Sequence, residues 1–225
     1  MLVEFDLPEV HEPSAEFSSY WIRYIFVSSP SQDRTVNALA STYMRLVEGA
    51  IIEYRLASTA LREVWSDHTA VQLRKMHRAI SHFESCVTNM HRAISTYRRL
   101  RNHPTRDPMS ATLVEPKPGF VSDKVATPIR NVRDAIHHLE EKLMGGEIRD
   151  GTQIALAATG PEVPHPHEAG QTIKTIDRLS IGDHDLLFRE IARSLGEMEA
   201  MAIKIAQFDP RIPQLTIANE DGRLR

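Results

Sequence analysis

The sequence predicts a mainly α-helical fold, a bundle of four long helices with a small β-hairpin inserted before the last one. Apolar residues recur at helical spacing in four separate stretches, and the β-compatible text that alternates in polarity falls between the third and the fourth. The 225 residues make one helical-bundle domain large enough to bury a core. No internal repeat or low-complexity tract divides it.

Residues 1–30 read as an N-terminal extension whose aromatic-rich stretch SSYWIRYIFVSS (18–29) suits a short helix or a strand. The first long helix follows, with Ser29 as N-cap, Pro30 at the first helical position and Asp33 in the first turn. Leu39, Tyr43, Leu46, Val47, Ala50, Ile51 and Tyr54 form its apolar stripe, and it runs to about Trp65. Asp67 caps the second. Its residues Met76, Ile80, Phe83, Val87, Met90, Ile94 and Tyr97 step by four and three, a heptad seam that packs against another helix. This helix ends near Arg101, before Pro104.

Residues 103–121 contain four prolines and a glycine and read as a surface loop. Ser122 or Asp123 then caps the third helix, whose stripe is Val125, Ile129, Val132, Ile136, Leu139 and Leu143. Pro128 sits near its first turn, where proline is tolerable, and Gly145-Gly146 ends it. Residues 150–180 form the insertion, in which TQIALAATG (152–160) pairs with QTIKTID (171–177). Asp183 caps the last helix, with Leu187, Ile191, Leu195, Met198, Met201 and Ile205 on one face, and residues 209–225 read as a frayed tail.

Composition narrows the function classes. One cysteine, Cys86, leaves no internal disulfide, which fits a reducing, cytoplasmic setting. The N-terminus has no basic segment followed by an apolar one. No apolar run approaches the roughly 20 residues of a spanning helix, so neither export nor membrane insertion is expected. The net charge of −3 is unevenly spread: residues 71–106 hold eight Lys/Arg against Glu84 alone, and four histidines besides. Local basicity of this kind attracts phosphate, unless acidic segments packed alongside neutralise it. Arg74, Lys75, Arg78, Arg92, Arg98, Arg99 and Arg101 are the candidate contacts to a nucleic-acid backbone.

The densest chemistry lies in RNVRDAIHHLEEKL (130–143). On a helical wheel Arg130, Asp134, His137 and His138 fall opposite the apolar stripe and Arg133 falls on its edge, so the group faces solvent or another subunit. Such a face is also what any amphipathic helix presents, with Glu140, Glu141 and Lys142 continuing it.

Arg133-Asp134-Ala135-Ile136-His137-His138 resembles the Arg-polar-x3-His motif of the HEPN superfamily, the higher-eukaryote and prokaryote nucleotide-binding domains. A second register, Arg130-Asn131-x5-His137, is similar to the family's looser spacing. HHLEEKL and HFESCVTNMHRAI (82–94) are similar to stretches of uncharacterised bacterial proteins of this type. The resemblance covers residues 35–145 and the final helix, and leaves the hairpin unexplained. It implies cleavage of RNA without a metal or cofactor, at a site shared by two subunits of a homodimer. In such a site His138, or His137 in the second register, is the general base. Arg133 or Arg130 holds the phosphate, and Asp134 or Asn131 orients its neighbour. A toxin or defence role, with an antitoxin or other protein partner, belongs to the same implication. Many HEPN domains are non-catalytic, so the resemblance equally accommodates a helical module that binds a protein partner or a nucleotide.

Other candidates have less behind them. HPHE (165–168) offers two imidazoles and a carboxylate in a proline-rich loop with no third partner in view. Arg98 and His103 repeat the Arg/His spacing, but at a helix end, where capping is the ordinary role. Cys86 is flanked by the heptad seam and reads as a small, partly buried residue. No glycine-rich phosphate loop is present.

Overall fold

The computed structural model describes residues 2–27, 29–64, 72–104, 107–146 and 154–209. Asp67, Arg106, residues 150–153 of the expected hairpin and the tail from Pro210 lie outside them. The chain is mainly α. Helices α1 (Ala15–Phe26), α2 (Arg34–Arg62), α3 (Leu73–Arg101), α4 (Pro108–Thr112), α5 (Asp123–His137), α6 (Leu139–Met144) and α7 (Phe188–Ala206) are joined by a 3-10 turn at Gly119–Val121. Strands β1 (Leu2–Phe5), β2 (Ala155–Ala157), β3 (Val163–Pro164), β4 (Thr172–Ile176), β5 (Arg178–Ile181) and β6 (His184–Leu187) complete it.

The long helices form where the apolar spacing predicts them. α2 and α3 pack along their length, and α3 also packs against α5, α2 against α7, and α1 against α7. The core lies between them. Phe83 of the heptad seam stacks on Phe188 at 4.9 Å and meets the edge of Tyr54 at 5.9 Å, arrangements that add to area burial. Tyr43 is fully buried and its hydroxyl donates to the Met198 carbonyl at 2.9 Å, which satisfies the one polar atom it carries inward.

The start of α2 is later than the Ser29-Pro30 pattern predicts. Asp33 is the N-cap, its carboxylate accepting from Thr35 N at 2.7 Å and Val36 N at 3.2 Å. A carboxylate at that position satisfies two of the orphan amides of the first turn. The N-terminal extension is part of the core rather than an appendage: Phe17 and Tyr20 of α1 are buried, and β1 is a strand of a sheet.

The proline-rich segment is not a plain surface loop. Asp107 caps α4 through Met109 N and Ser110 N, and Met109, Leu113, Phe120 and Val121 are buried in the core. Glu197 of α7 accepts from Phe120 N at 2.9 Å, fixing the 3-10 turn. Ser122 is the N-cap of α5, as expected, with its hydroxyl turned back to the Gly119 carbonyl at 2.6 Å. The third helix is not continuous to Gly145. It ends at His138, whose φ of −93° and ψ of 5° interrupt the helical backbone, and α6 restarts from there. Leu143, the last member of the expected stripe, is exposed.

The strand region departs furthest from expectation. Instead of one hairpin, the described residues form two three-stranded sheets, in the orders β1-β4-β3 and β2-β5-β6. β2 pairs with β5, and the QTIKTID strand β4 pairs in parallel with β1, Leu2 facing Ile173. Asp183 does not cap the last helix. With Gly182 at φ +58° it forms the two-residue turn of a β5-β6 hairpin, Ile181 facing His184, and α7 begins only at Phe188. Leu179, Ile181 and Leu186 of this second sheet are buried, and β5 and β6 pack against α5.

Candidate functional site

α5 has neighbours on two sides, α3 on one and the β5-β6 hairpin on the other. That changes the environment of the arginine–histidine segment. The wheel places it on an open face. In the fold Arg133 and Asp134 are half-buried, and α3 runs antiparallel alongside with Arg98 opposite Asp123.

Between α3 and α5 lies a groove of about 230 Å³, lined by His91, Ser95, Arg98, Arg99, Thr127 and Arg130 among others. His91 belongs to α3, and the charges of Arg133, Asp134, Arg130 and His137 on α5 all act on it. Its pKa is held below the usual histidine value, first by burial and then by Arg133, with Arg130 and His137 adding to the effect and Asp134 opposing it. No hydrogen bond or ion pair ties the His91 ring to another described residue. By contrast, His82 is paired with Glu53 at 2.7 Å and His138 with Glu141 at 2.8 Å.

Arg133 donates to Asp134 Oδ1 at 3.0 Å, and its Nε is buried with no hydrogen-bond partner among the described residues. Its side chain is 31% exposed. Arg130 is exposed at the groove wall, His137 is exposed at the last turn of α5, and Asn131 is half-buried beside Arg130. His138 is the C-cap residue and its side chain is 58% exposed. The fold therefore sets Arg130 beside His91 in the groove, with Arg133, Asp134 and His137 acting on His91 through their charge, whereas His138 is engaged by Glu141 one turn further on.

The basic residues of α3 divide into two groups. Arg98 donates to the Val121 carbonyl at 2.5 Å and to Asp123 at 3.1 Å. Arg101 donates twice to the Val114 carbonyl, at 3.1 and 2.6 Å, and Lys75 pairs with Glu63. These three hold the fold together. Arg74, Arg78, Arg92 and Arg99 are exposed and form no salt bridge among the described residues. Arg78, Arg92 and Arg99 differ by multiples of seven, so they share one helix face, with Arg92 and Arg99 about 10 Å apart along the axis.

His91 escaped the sequence reading, although a signal was there. His91, Ser95 and Arg98 step by four and three, one position beyond the seam residues Met90, Ile94 and Tyr97. A polar row parallel to an apolar seam marks the edge of the helix contact, where grooves open. Among the described residues no group of three or more His, Cys, Asp or Glu side chains is placed to hold a metal ion. His165 and His167 meet edge-on at 6.2 Å, with the His167 amide donating to His165 Nδ1. Cys86 is fully buried, its thiol pKa pushed up by burial and by Glu53. No helix among the described residues is long and apolar enough to cross a membrane.

Arg99 and Arg130 line one small groove beside the Arg98–Asp123 ion pair, and neither forms a salt bridge among the described residues. Planar donors from two helices and an imidazole with no hydrogen bond to a described residue thus border one groove. No family model, curated protein or solved structure matches this chain.

Proposed function

We propose that the chain is a HEPN-like endoribonuclease that works as a homodimer and cleaves an RNA phosphodiester held in the α3–α5 groove. The carrying observation is the α3–α5 groove itself, where Arg130 of α5 shares the lining with His91 and Arg99 of α3, while Arg133, Asp134 and His137 of α5 act on His91 through their charge. In this reading Arg99 and Arg130 bind the phosphate. Arg133, oriented by Asp134, stabilises the charge that grows on it as the ribose 2′-oxygen attacks. His137 exchanges a proton with the reacting oxygens. Arg78 and Arg92 extend the cationic track along α3 for the flanking backbone. Every step is carried by guanidinium and imidazole, so the reaction proceeds in EDTA. Of the two motif registers, Arg130-Asn131-x5-His137 fits the groove better, since His138 is paired with Glu141.

The test is direct. Purified protein should cut a single-stranded RNA in the presence of EDTA, and His137→Ala should lose at least about a hundredfold of that rate with an unchanged circular dichroism spectrum. Equal rates for the two proteins remove His137 from the mechanism.

A second reading, a non-catalytic module that binds a protein partner, has one observation in its favour. Ile22, Ile25, Phe26 and Val27 at the end of α1 are exposed, Phe26 to 79%, and form a contiguous apolar face. An antitoxin or other protein partner would bury it. If Phe26→Asp abolishes the cellular activity of the protein while RNA cleavage in vitro persists, that face serves a partner and not the chemistry.

A further inference from the structure

Helix α1 has two unlike faces. Phe17 and Tyr20 are buried in the core, and Glu16 and Arg23 are half-buried at the flank, Glu16 accepting from Gln207 just past α7 at 3.4 Å. The remaining face is Ala15, Ser18, Ser19, Ile22, Ile25 and Phe26, all exposed and none charged. At 100° per residue these positions fall within an arc of about 120° centred on Ile22. A helix face that meets only water ordinarily carries charge, and this one carries large apolar side chains instead.

Resting on the homodimer of the proposed function and not on its chemistry, we infer that this face is the interface between two copies of the chain, paired antiparallel about a two-fold axis at Ile22. Side-chain size selects a second copy as the occupant. Small residues fill the first half of the face and large ones the second. Antiparallel pairing sets Phe26 against Ser18 of the partner subunit and Ile25 against Ser19 of the partner subunit. The two-fold axis repeats both contacts, so large meets small throughout, as a self-complementary contact requires. The Ser19 hydroxyl already donates to the Ala15 carbonyl at 3.2 Å, so covering it strands no donor. With no charge on the face, two copies meet without repulsion. A lipid surface would select a helix rich in Lys and Arg, whereas α1 has Arg23 alone in a chain of net charge −3. Ile22, Ile25, Phe26 and Val27, each more than half exposed, together present roughly 500 Å². Two such patches bury about 1,000 Å², the size of a weak, reversible interface, which corresponds to a Kd in the micromolar range.

No α1 side chain lines the α3–α5 groove, so pairing and cleavage are measured separately. Sedimentation equilibrium of the full chain from about 1 to 300 µM should show one chain mass giving way to two. Phe26→Asp, at an exposed position that leaves the urea midpoint unchanged, should weaken the association at least about a hundredfold. Ser18→Phe makes the face more apolar, yet it should weaken the association about tenfold, because large then meets large. Ser18→Phe combined with Phe26→Ser restores large on small and should return the dimer to within about threefold of wild type. A dimer that Phe26→Asp leaves intact, or that Ser18→Phe tightens, overturns this interface and leaves the homodimer standing. A monomer at every concentration overturns both. Flotation of the wild type, but not of Phe26→Asp, with phosphatidylserine–phosphatidylcholine vesicles would assign the face to a lipid surface and overturn the inference too. If the chain dimerises as described and cuts no RNA, the interface stands and the nuclease reading falls.

Discussion

Arg99 and Arg101 sit two residues apart on α3, yet replacing them should have opposite consequences. The Arg101 guanidinium donates to the Val114 carbonyl through Nε at 3.1 Å and Nη2 at 2.6 Å, and its side chain is 17% exposed. A hydrogen bond from a charged donor contributes roughly 1.5–3 kcal/mol. Val114 is partly exposed, so water replaces some of that when the donor is lost. The nearby Glu115, 3.7 Å away and largely exposed, adds little. Arg101→Ala should therefore cost about 1–2 kcal/mol, which moves a urea midpoint down by about 0.5–1 M. Arg99 is exposed and has no salt bridge among the described residues, so Arg99→Ala should change stability by less than about 0.5 kcal/mol. Its effect belongs to binding. Each phosphate contact contributes about 0.7 to the slope of log affinity against log salt for a single strand, so Arg92→Ala with Arg99→Ala should flatten that slope by about 1.4. Urea melts and fluorescence anisotropy of a labelled RNA across a salt series measure both quantities. If Arg99→Ala lowers the midpoint as far as Arg101→Ala does, or if Arg101→Ala flattens the salt slope with no loss of stability, the division of the basic helix into structural and binding arginines is wrong.

Three further outcomes follow from the packing. A Cβ at Gly119 would lie 2.8 Å from Glu197 Oε2, so Gly119→Ala should push that carboxylate off Phe120 N and cost about 1–2 kcal/mol in a urea melt; an unchanged midpoint contradicts the contact. Cys86 should react with a thiol reagent only as the chain unfolds, its modification tracking the urea transition, and native-state labelling at the rate of an exposed cysteine would show the core to be more open than described. Arg178 bridges Asp177 at 3.1 Å and Asp185 at 2.6 Å. Burial alone would raise both carboxyls, but hydrogen bonds from Thr159, Ser180 and Arg178, with the guanidinium charge, bring them below the usual aspartate value. Their stabilisation is thus complete above about pH 4 and is lost as pH falls through the lower folded-state values. Acid melts of Arg178→Ala should lose stability less steeply in that window than the wild type; parallel curves would refute the bridge.

The helices and the strands were legible to different degrees, for a physical reason. α2 and α3 announce themselves because their apolar stripes are long and local, and the chain buries those stripes wherever they pack. β4 has no such privacy. Its pairing with β1 joins residues about 170 positions apart, and nothing in QTIKTID names that partner. The β5-β6 hairpin was readable in principle from Ile181-Gly-Asp-His184, a two-residue turn with glycine first. It was masked by the helical spacing that starts at Leu187 and makes Asp183 look like a cap. The site was half legible for the same reason. RNVRDAIHH marks itself on one helix, but which of its side chains matter depends on what lies opposite, and His91 arrives from 40 residues upstream through packing. The break at His138, which places that residue at a cap, follows from no proline or glycine at the position.

The α3–α5 groove as a seat for an RNA phosphodiester is the central claim. Nuclear magnetic resonance of the isotope-labelled protein, titrated with a short RNA made uncleavable by 2′-fluoro substitution, tests it most directly. Saturable shifts should concentrate on His91, Ser95, Arg99, Thr127, Arg130 and His137. Shifts confined to the exposed α1 face, or absent from the groove at saturating RNA, would contradict it.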